Sequence, residues 1–429
     1  MRYRAAFFAA ALALLAFAAA APVLPQANDS ITFLPFVATP ITAPALPPAD
    51  AASARLSVPA GFAVRIFASG LSAPRLMATG PDGALYVAER GAGRVVRLPD
   101  RNADGLSDGI EVVASGLNGP HSVEWRSGAI YVALNDSVIR LQDMNSDGDM
   151  QDAGEQTLVT SNIPSGGGHS SRTAHFGPDG MLYVAAGSSG NNNIESDRRR
   201  ATIMRFNADG SIPADNPFAS DPDPNRRPVW AEGLRNSVDF VFTDAGQIWA
   251  THNGSDGLGN DLPPEEVVIN VQRAAHHGWP YCYTPQLGAV PVGAQEVRDS
   301  RVALDSRVAS CAQVTPALFT DSAHQAPLGV SIYQGQGVPA AYAGSLLIAY
   351  HGSWNADQTP RDCRVQRIVV EGGKPARAEA FLTGFRDNDQ QECGSAWGRP
   401  AGVTTGPQGT IFVSDDKNGN IYRVVYVGT

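Results

Sequence analysis

Charged residues make up only 17% of this 429-residue chain, and cations are the scarcer sign: 32 Lys and Arg against 42 Asp and Glu, for a formal net charge of −10. That balance makes nucleic acid or an anionic membrane surface a poor partner. Cysteine is sparse too. The four, Cys282, Cys311, Cys363 and Cys393, fit no zinc-ligand spacing, and no CxxCH is present to attach a haem. No GxGxxG stands in a βαβ setting, so the usual nicotinamide fingerprint is missing. Turn chemistry, by contrast, is abundant: 44 Gly and 31 Pro favour many short strands over long helices.

At the N-terminus, Arg2 and Arg4 precede an apolar run that ends in small residues. This is the pattern of a secretory signal over 1–21, cut near Ala19 to Ala21; an uncleaved membrane anchor is the alternative. Residues 22–55 read as a Pro/Ala-rich linker and 56–429 as the folded domain. Export to the periplasm or the exterior turns an even cysteine count into an expectation of disulfides. Sequence neighbours would give Cys282–Cys311 and Cys363–Cys393, one of three possible pairings.

One phrase recurs through the domain: GPDGALYVAER, RSGAIYVALN, GPDGMLYVAAGS, DAGQIWATHNG, AGSLLIAYHGSW and GPQGTIFVSDD. Each copy is a turn followed by a β-rich run, and several are followed by a further strand such as GRVVRL or GNIYRVVY. Six such units predict an all-β chain, a six-bladed β-propeller of four-stranded antiparallel blades. In a hairpin, the start of the first strand lies beside the end of the second. Residues just before the first strands (Arg75, His121, His169, Arg235, Asn236, Arg399) should therefore meet those just after the second (Glu89, Arg90, Asn135, Ser188, His252, Asn253, His351, Asp415) around one mouth of the central channel. A cationic, polar funnel suits an anionic ligand on the axis. His169 follows three glycines, which would allow a flat ring to approach it closely.

Two loops have calcium-loop spacing. Asp100, Asn102, Asp104, Gly105 and Glu111 complete the D-x-[DN]-x-[DN]-G-x5-E pattern, whereas the loop from Asp143 brings Glu155 one residue late. Either ion would be structural. A third stretch, HNGSDGLGNDLPPEE, could offer oxygen from Asp261 and nearby carbonyls to a hard cation.

Taken together, GGGHSSRT, AEGLRNSVDF, GNDLPPEE with HHGWPYCY, AYHGSWN and WGRPAGV resemble the quinoprotein sugar dehydrogenases of the soluble glucose dehydrogenase and L-sorbosone dehydrogenase type, over roughly 56–429. The resemblance implies pyrroloquinoline quinone (PQQ) and Ca²⁺ as cofactors and a sugar or aldehyde substrate. His169 would be the general base and Arg235 the cation beside the reacting carbonyl. Asn236 and Arg399 would contact the cofactor, with His121, His351 and Trp397 as further cofactor-binding candidates. Asp261 and Leu262 would supply calcium oxygens. The chain departs from the glucose enzymes in two places: His351-Gly-Ser-Trp354 stands where they use a lysine, and a late arginine pair is reduced to Trp397-x-Arg399. With no haem motif, electrons must pass to an external acceptor. The alternatives are a metal-dependent sugar lactonase, which would need Glu89, Asn135 and Asp415, or a non-enzymatic recognition propeller.

Overall fold

In a computed structural model that describes residues 44–356 and 358–428, the turn-bounded runs form six blades around a central channel. The inner two strands of each blade are the hairpin read from the repeat. Blade 1 opens with Pro74–Thr79 and Leu85–Glu89, blade 2 with Ser122–Arg126 and Ala129–Ala133, and blade 3 with Arg172–Phe176 and Leu182–Ala186. Blade 4 opens with Phe240–Phe242 and Ile248–His252, blade 5 with Pro327–Tyr333 and Ser345–Tyr350, and blade 6 with Pro400–Thr405 and Ile411–Asp415. Each first strand touches the first strands of the adjacent blades, closing the ring.

Closure is done by strand exchange. Phe62–Ala68, near the start of the domain, pairs antiparallel with Asn420–Tyr426 and becomes the outer strand of blade 6. This leaves no unpaired edge between the two ends of the domain. The second strands are buried along their whole length, LYVAE in blade 1 and LYVAA in blade 3 among them, because both of their faces pack against neighbouring blades. The signal segment and the first part of the linker lie outside the described residues. The end of that linker is packed: Arg65 donates to the Pro47 carbonyl and the Ile66 amide to Asp50, at 2.9 and 2.7 Å.

The long gap between the fourth and fifth repeats is an insertion after the third strand of blade 4. It carries a two-stranded sheet, Cys282–Tyr283 with Val297–Arg298, and the Cys282–Cys311 disulfide. The second disulfide is Cys363–Cys393.

Val238, Leu328 and Ala401, at the entries of blades 4, 5 and 6, meet as a buried apolar septum between the two ends of the channel. On the distal side, His175 of blade 3 bridges two carboxylates, Nδ1 to Glu124 of blade 2 at 2.7 Å and Nε2 to Asp239 of blade 4 at 2.9 Å. Asp239 also accepts the Val330 amide of blade 5 at 2.9 Å. The imidazole thus links three consecutive blades, and Asp239 carries the link to a fourth.

Candidate active site

On the other side of the septum, a cavity of about 260 Å³ opens at the mouth, with Val238 and Leu328 in its lining. Seven of the residues singled out in the sequence meet there: Arg75, His169, Arg235, Asn236, Asn253, His351 and Arg399. They are supplied by blades 1, 3, 4, 5 and 6, through the turns entering or leaving the inner hairpins.

His169 is placed by a tight backbone crossing. Gly166 and Gly167 have φ of +66° and +87°, the left-handed region that a side chain disfavours. Gly187 lies against His169 so closely that a Cβ there would sit 2.5 Å from the histidine Cβ and 2.9 Å from Asn236 Oδ1. The His169 ring then meets Ser188, with Nδ1 2.8 Å from Oγ. Ser188 donates its only hydroxyl proton to the Gly190 carbonyl at 2.6 Å, so it must accept from the imidazole. Nδ1 therefore carries the ring proton and Nε2 is the basic nitrogen. Burial, reinforced by the positive charge of Arg235, pulls the His169 pKa down to about 4, so the ring is neutral at neutral pH.

Arg235 is buried, with Nη2 2.9 Å from both Asp256 Oδ2 and Asn191 Oδ1. Asp256 also accepts from Asn355 at 2.8 Å and stands 3.6 Å from His324. Burial pushes the Asp256 carboxyl up, but His324, Arg235 and Asn355 outweigh it and hold it at about 2. Arg75 pairs with Asp416, which also meets His351 Nε2 at 3.0 Å. Burial keeps His351 neutral, with its pKa down to about 4, even beside that carboxylate. The guanidinium of Arg399 donates only to the His351 and Gly352 carbonyls, at 2.7 and 3.1 Å, and pairs with no carboxylate among the described residues.

Other candidates lie elsewhere. His121 is buried behind the wall, with Nδ1 3.2 Å from Thr173 Oγ1 and Nε2 unpartnered. Trp397 stacks on Phe385 beneath the Arg55 guanidinium and donates to Gly384, so it packs into the hydrophobic core. The Asp261 side chain is 84% exposed and bonded to Arg361, and Leu262 is largely exposed; neither lines the cavity. Asp100, Asn102 and Asp104 bond among themselves in an outer loop of blade 1, while Glu111 turns to Arg97 and Arg101. The lactonase candidates are committed to structure: Glu89 to Arg94 and the Ser72 amide, Asp415 to the Arg399 amide and the Tyr422 hydroxyl.

Asp256, Glu265 and Asn355 also line the cavity, although no motif in the sequence marks them. Asp256 stands in HNGSDG, five residues before Asp261; its signal was the Asp-Gly turn three residues after the mouth residue Asn253. His324, with φ of +65° on a non-glycine residue, also lines the cavity.

The arginines fit a flat polyanion: three of them face the cavity. The carboxyl groups there belong to Asp256 and Glu265, beside Asn236, Asn253 and Asn355; among the described residues no three His, Cys, Asp or Glu side chains gather to hold a metal on their own, so a hard cation would need oxygens from these amides, the backbone or the cofactor as well. Glu265 accepts only backbone amides, from Gly254 at 2.8 Å and Ala326 at 3.4 Å.

The Cys363–Cys393 bridge holds the loop that supplies His351, Trp354 and Asn355, since the Cys393 amide donates to the Ser353 carbonyl at 3.0 Å and Glu392 accepts the Ala356 amide at 2.8 Å. Replacing both cysteines with alanine is expected to weaken binding of an anionic ligand in the cavity about tenfold, through lost preorganisation. The Cys282/Cys311 pair, remote in the insertion, should leave affinity unchanged. Titration of each variant by PQQ absorbance checks the contrast.

A protein-family model described as TrAA12-like matches residues 56–427. A PQQ-dependent sugar dehydrogenase of Hypocrea jecorina is 25% identical over 395 residues, covering 84% of this chain and 87% of that protein. Among solved structures, the holo PQQ domain of a Coprinopsis cinerea pyranose dehydrogenase superposes with a TM-score of 0.70 at 22% identity, over 86% of this chain and 97% of the other. A calcium structure of a Trichoderma reesei carbohydrate-active enzyme of family AA12 gives 0.71 at 21% identity, over 90% and 98%.

Proposed function

The chain belongs to the TrAA12-like family of PQQ-dependent sugar dehydrogenases, and on that premise we propose that it oxidises an aldose or a sorbosone-like aldehyde at C1, with His169 as general base and Ca²⁺ as second cofactor. The observation that carries this reading is the neutral His169 facing a cavity walled by three arginines.

PQQ, when bound, would supply the electron sink for the hydride of the sugar carbon. The protein's part is positioning and proton transfer. Arg399, free of any carboxylate partner, and Arg75 would hold the cofactor carboxylates. Asn236, fixed against Gly187, and Arg235, fixed by Asp256, would orient the quinone oxygens. His169 Nε2 would take the proton of the anomeric hydroxyl, its ring held in the required tautomer by Ser188. For the calcium, Glu265 and Asp256 at the cavity wall are better placed than Asp261 and Leu262. The N-terminal signal pattern supports a periplasmic or secreted enzyme, whose electrons pass to an external acceptor.

Reconstitution tests this reading. Protein purified without cofactor should reduce an artificial dye with aldoses or L-sorbosone only after both PQQ and Ca²⁺ are added. Failure of PQQ to bind would overturn the assignment; binding of PQQ with activity independent of Ca²⁺ would remove the metal.

A further inference from the structure

We propose, resting on the reading above, that Trp354 is the stacking platform for the sugar ring and selects pyranoses with an unbroken C–H face. Trp354 lines the lip of the cavity and is 66% exposed. Among the described residues it is the only aromatic side chain among the exposed large hydrophobic ones. A single exposed apolar side chain is ordinary; this one is set apart by its place in the cavity lining and by the amphipathic face an indole offers to a ligand there.

The chain goes to some length to keep the indole there. On one side of it, the Ser353 hydroxyl meets Glu392 and its carbonyl accepts the Cys393 amide. On the other side, the Asn355 side chain donates to Asp256 at 2.8 Å. The backbone is pinned on both flanks while the ring projects past the wall, with Gly394 opposite the Trp354 Cβ.

Depth distinguishes sugar from cofactor as the occupant. The cationic groups suited to a tricarboxylate are recessed: the side chains of Arg75 and Arg235 are 13% and 5% exposed. A cofactor held at that depth lies below the lip. A sugar reaching His169 from solvent must pass over it, at the level of the indole. Pyranose rings meet aromatic faces through patches of axial C–H bonds, so an axial hydroxyl on the stacked face removes contact area. D-Glucose, with every ring hydroxyl equatorial in its β-anomer, should be preferred over D-galactose and D-allose, whose axial hydroxyls each break one face.

The test uses the full chain loaded with PQQ and Ca²⁺, with methyl β-D-glucopyranoside as a ligand blocked at C1. Trp354→Ala is expected to weaken its binding, read by calorimetry, and to raise KM for D-glucose about tenfold each with kcat within about twofold. Trp354→Phe should recover most of the loss, and the preference for glucose over allose and galactose should shrink in the alanine variant. PQQ affinity of the cofactor-free protein should not change. Unchanged glucoside affinity and KM in Trp354→Ala would overturn the proposal, as would a fall in PQQ affinity, which would assign the indole to the cofactor. Failure of the unmodified chain to bind PQQ would instead sink the underlying reading.

Discussion

Replacing His169 by alanine is expected to lower kcat by about 10²–10⁴-fold while the affinity for PQQ stays close to that of the unmodified chain. The separation follows from the geometry. The arginines and Asn236 that suit the cofactor stand on blades 1, 4 and 6, whereas His169 enters from the turn before blade 3 and is tied only to Ser188 and the local backbone. Removing the imidazole deletes the proton acceptor without disturbing those groups.

The pH dependence gives a second readout of the same group. A general base works when unprotonated, and burial together with the Arg235 charge pulls His169 from 6.5 down to about 4. The acid limb of kcat/KM should therefore fall below pH 6.5, toward 4, rather than near an ordinary histidine value. An anionic cofactor beside the ring would pull the limb back upward but not create it. Retention of full turnover in His169→Ala, with the same limb, would transfer the base to another residue.

The second large effect lies on the opposite side of the septum and concerns stability. Burial alone would lower the pKa of His175, but hydrogen bonds and charge from Asp239 and Glu124 win and raise it to about 10. A histidine whose folded pKa lies above its unfolded value stabilises fully below the unfolded pKa, near 6.5. That contribution is lost as pH rises through the folded value, at about 1.4 kcal/mol per unit between the two. The free energy of unfolding should thus decline from pH 7 to pH 10, and His175→Gln should flatten the slope.

His175→Leu should cost roughly 2–3 kcal/mol at pH 7, because it strands Glu124 and Asp239 beside each other; this is below the cost for a fully buried pair, since the histidine and Glu124 side chains keep 25% and 23% exposure. Denaturant unfolding of the two variants across that pH range checks both statements. An unchanged slope in His175→Gln would mean that the imidazole is not the titrating group.

Much of the architecture was legible in the sequence because a propeller writes its period into its turns. The β-rich runs of the repeated phrase, read from Leu85, Ile130, Leu182, Ile248, Leu346 and Ile411, begin at the start of the second strand of their blade or one residue inside it. Hairpin geometry alone gathered His169, Arg235, Asn236, His351 and Arg399 at one mouth, since strand ends are fixed by pairing. What stayed hidden lies in loops without a period. Asp256 and Asn355 approach each other across almost a hundred residues, and only the folded path of two loops joins them. Trp397 shows the opposite error: two residues before Arg399 it reads as a mouth residue, yet the loop turns its ring onto Phe385 and away from the axis. Asp261 had the composition of a ligand, but its loop carries it out to Arg361.

Val238 and Leu328 floor the cavity, and the groups suited to cofactor and sugar all face the same mouth. Sugar must enter, oxidised product must leave, and the electron acceptor must reach the reduced centre, all through the same opening. The two half-reactions therefore have to take turns. Steady-state kinetics should show parallel double-reciprocal lines, with each co-substrate in excess inhibiting the other by occupying the mouth in the wrong half of the cycle.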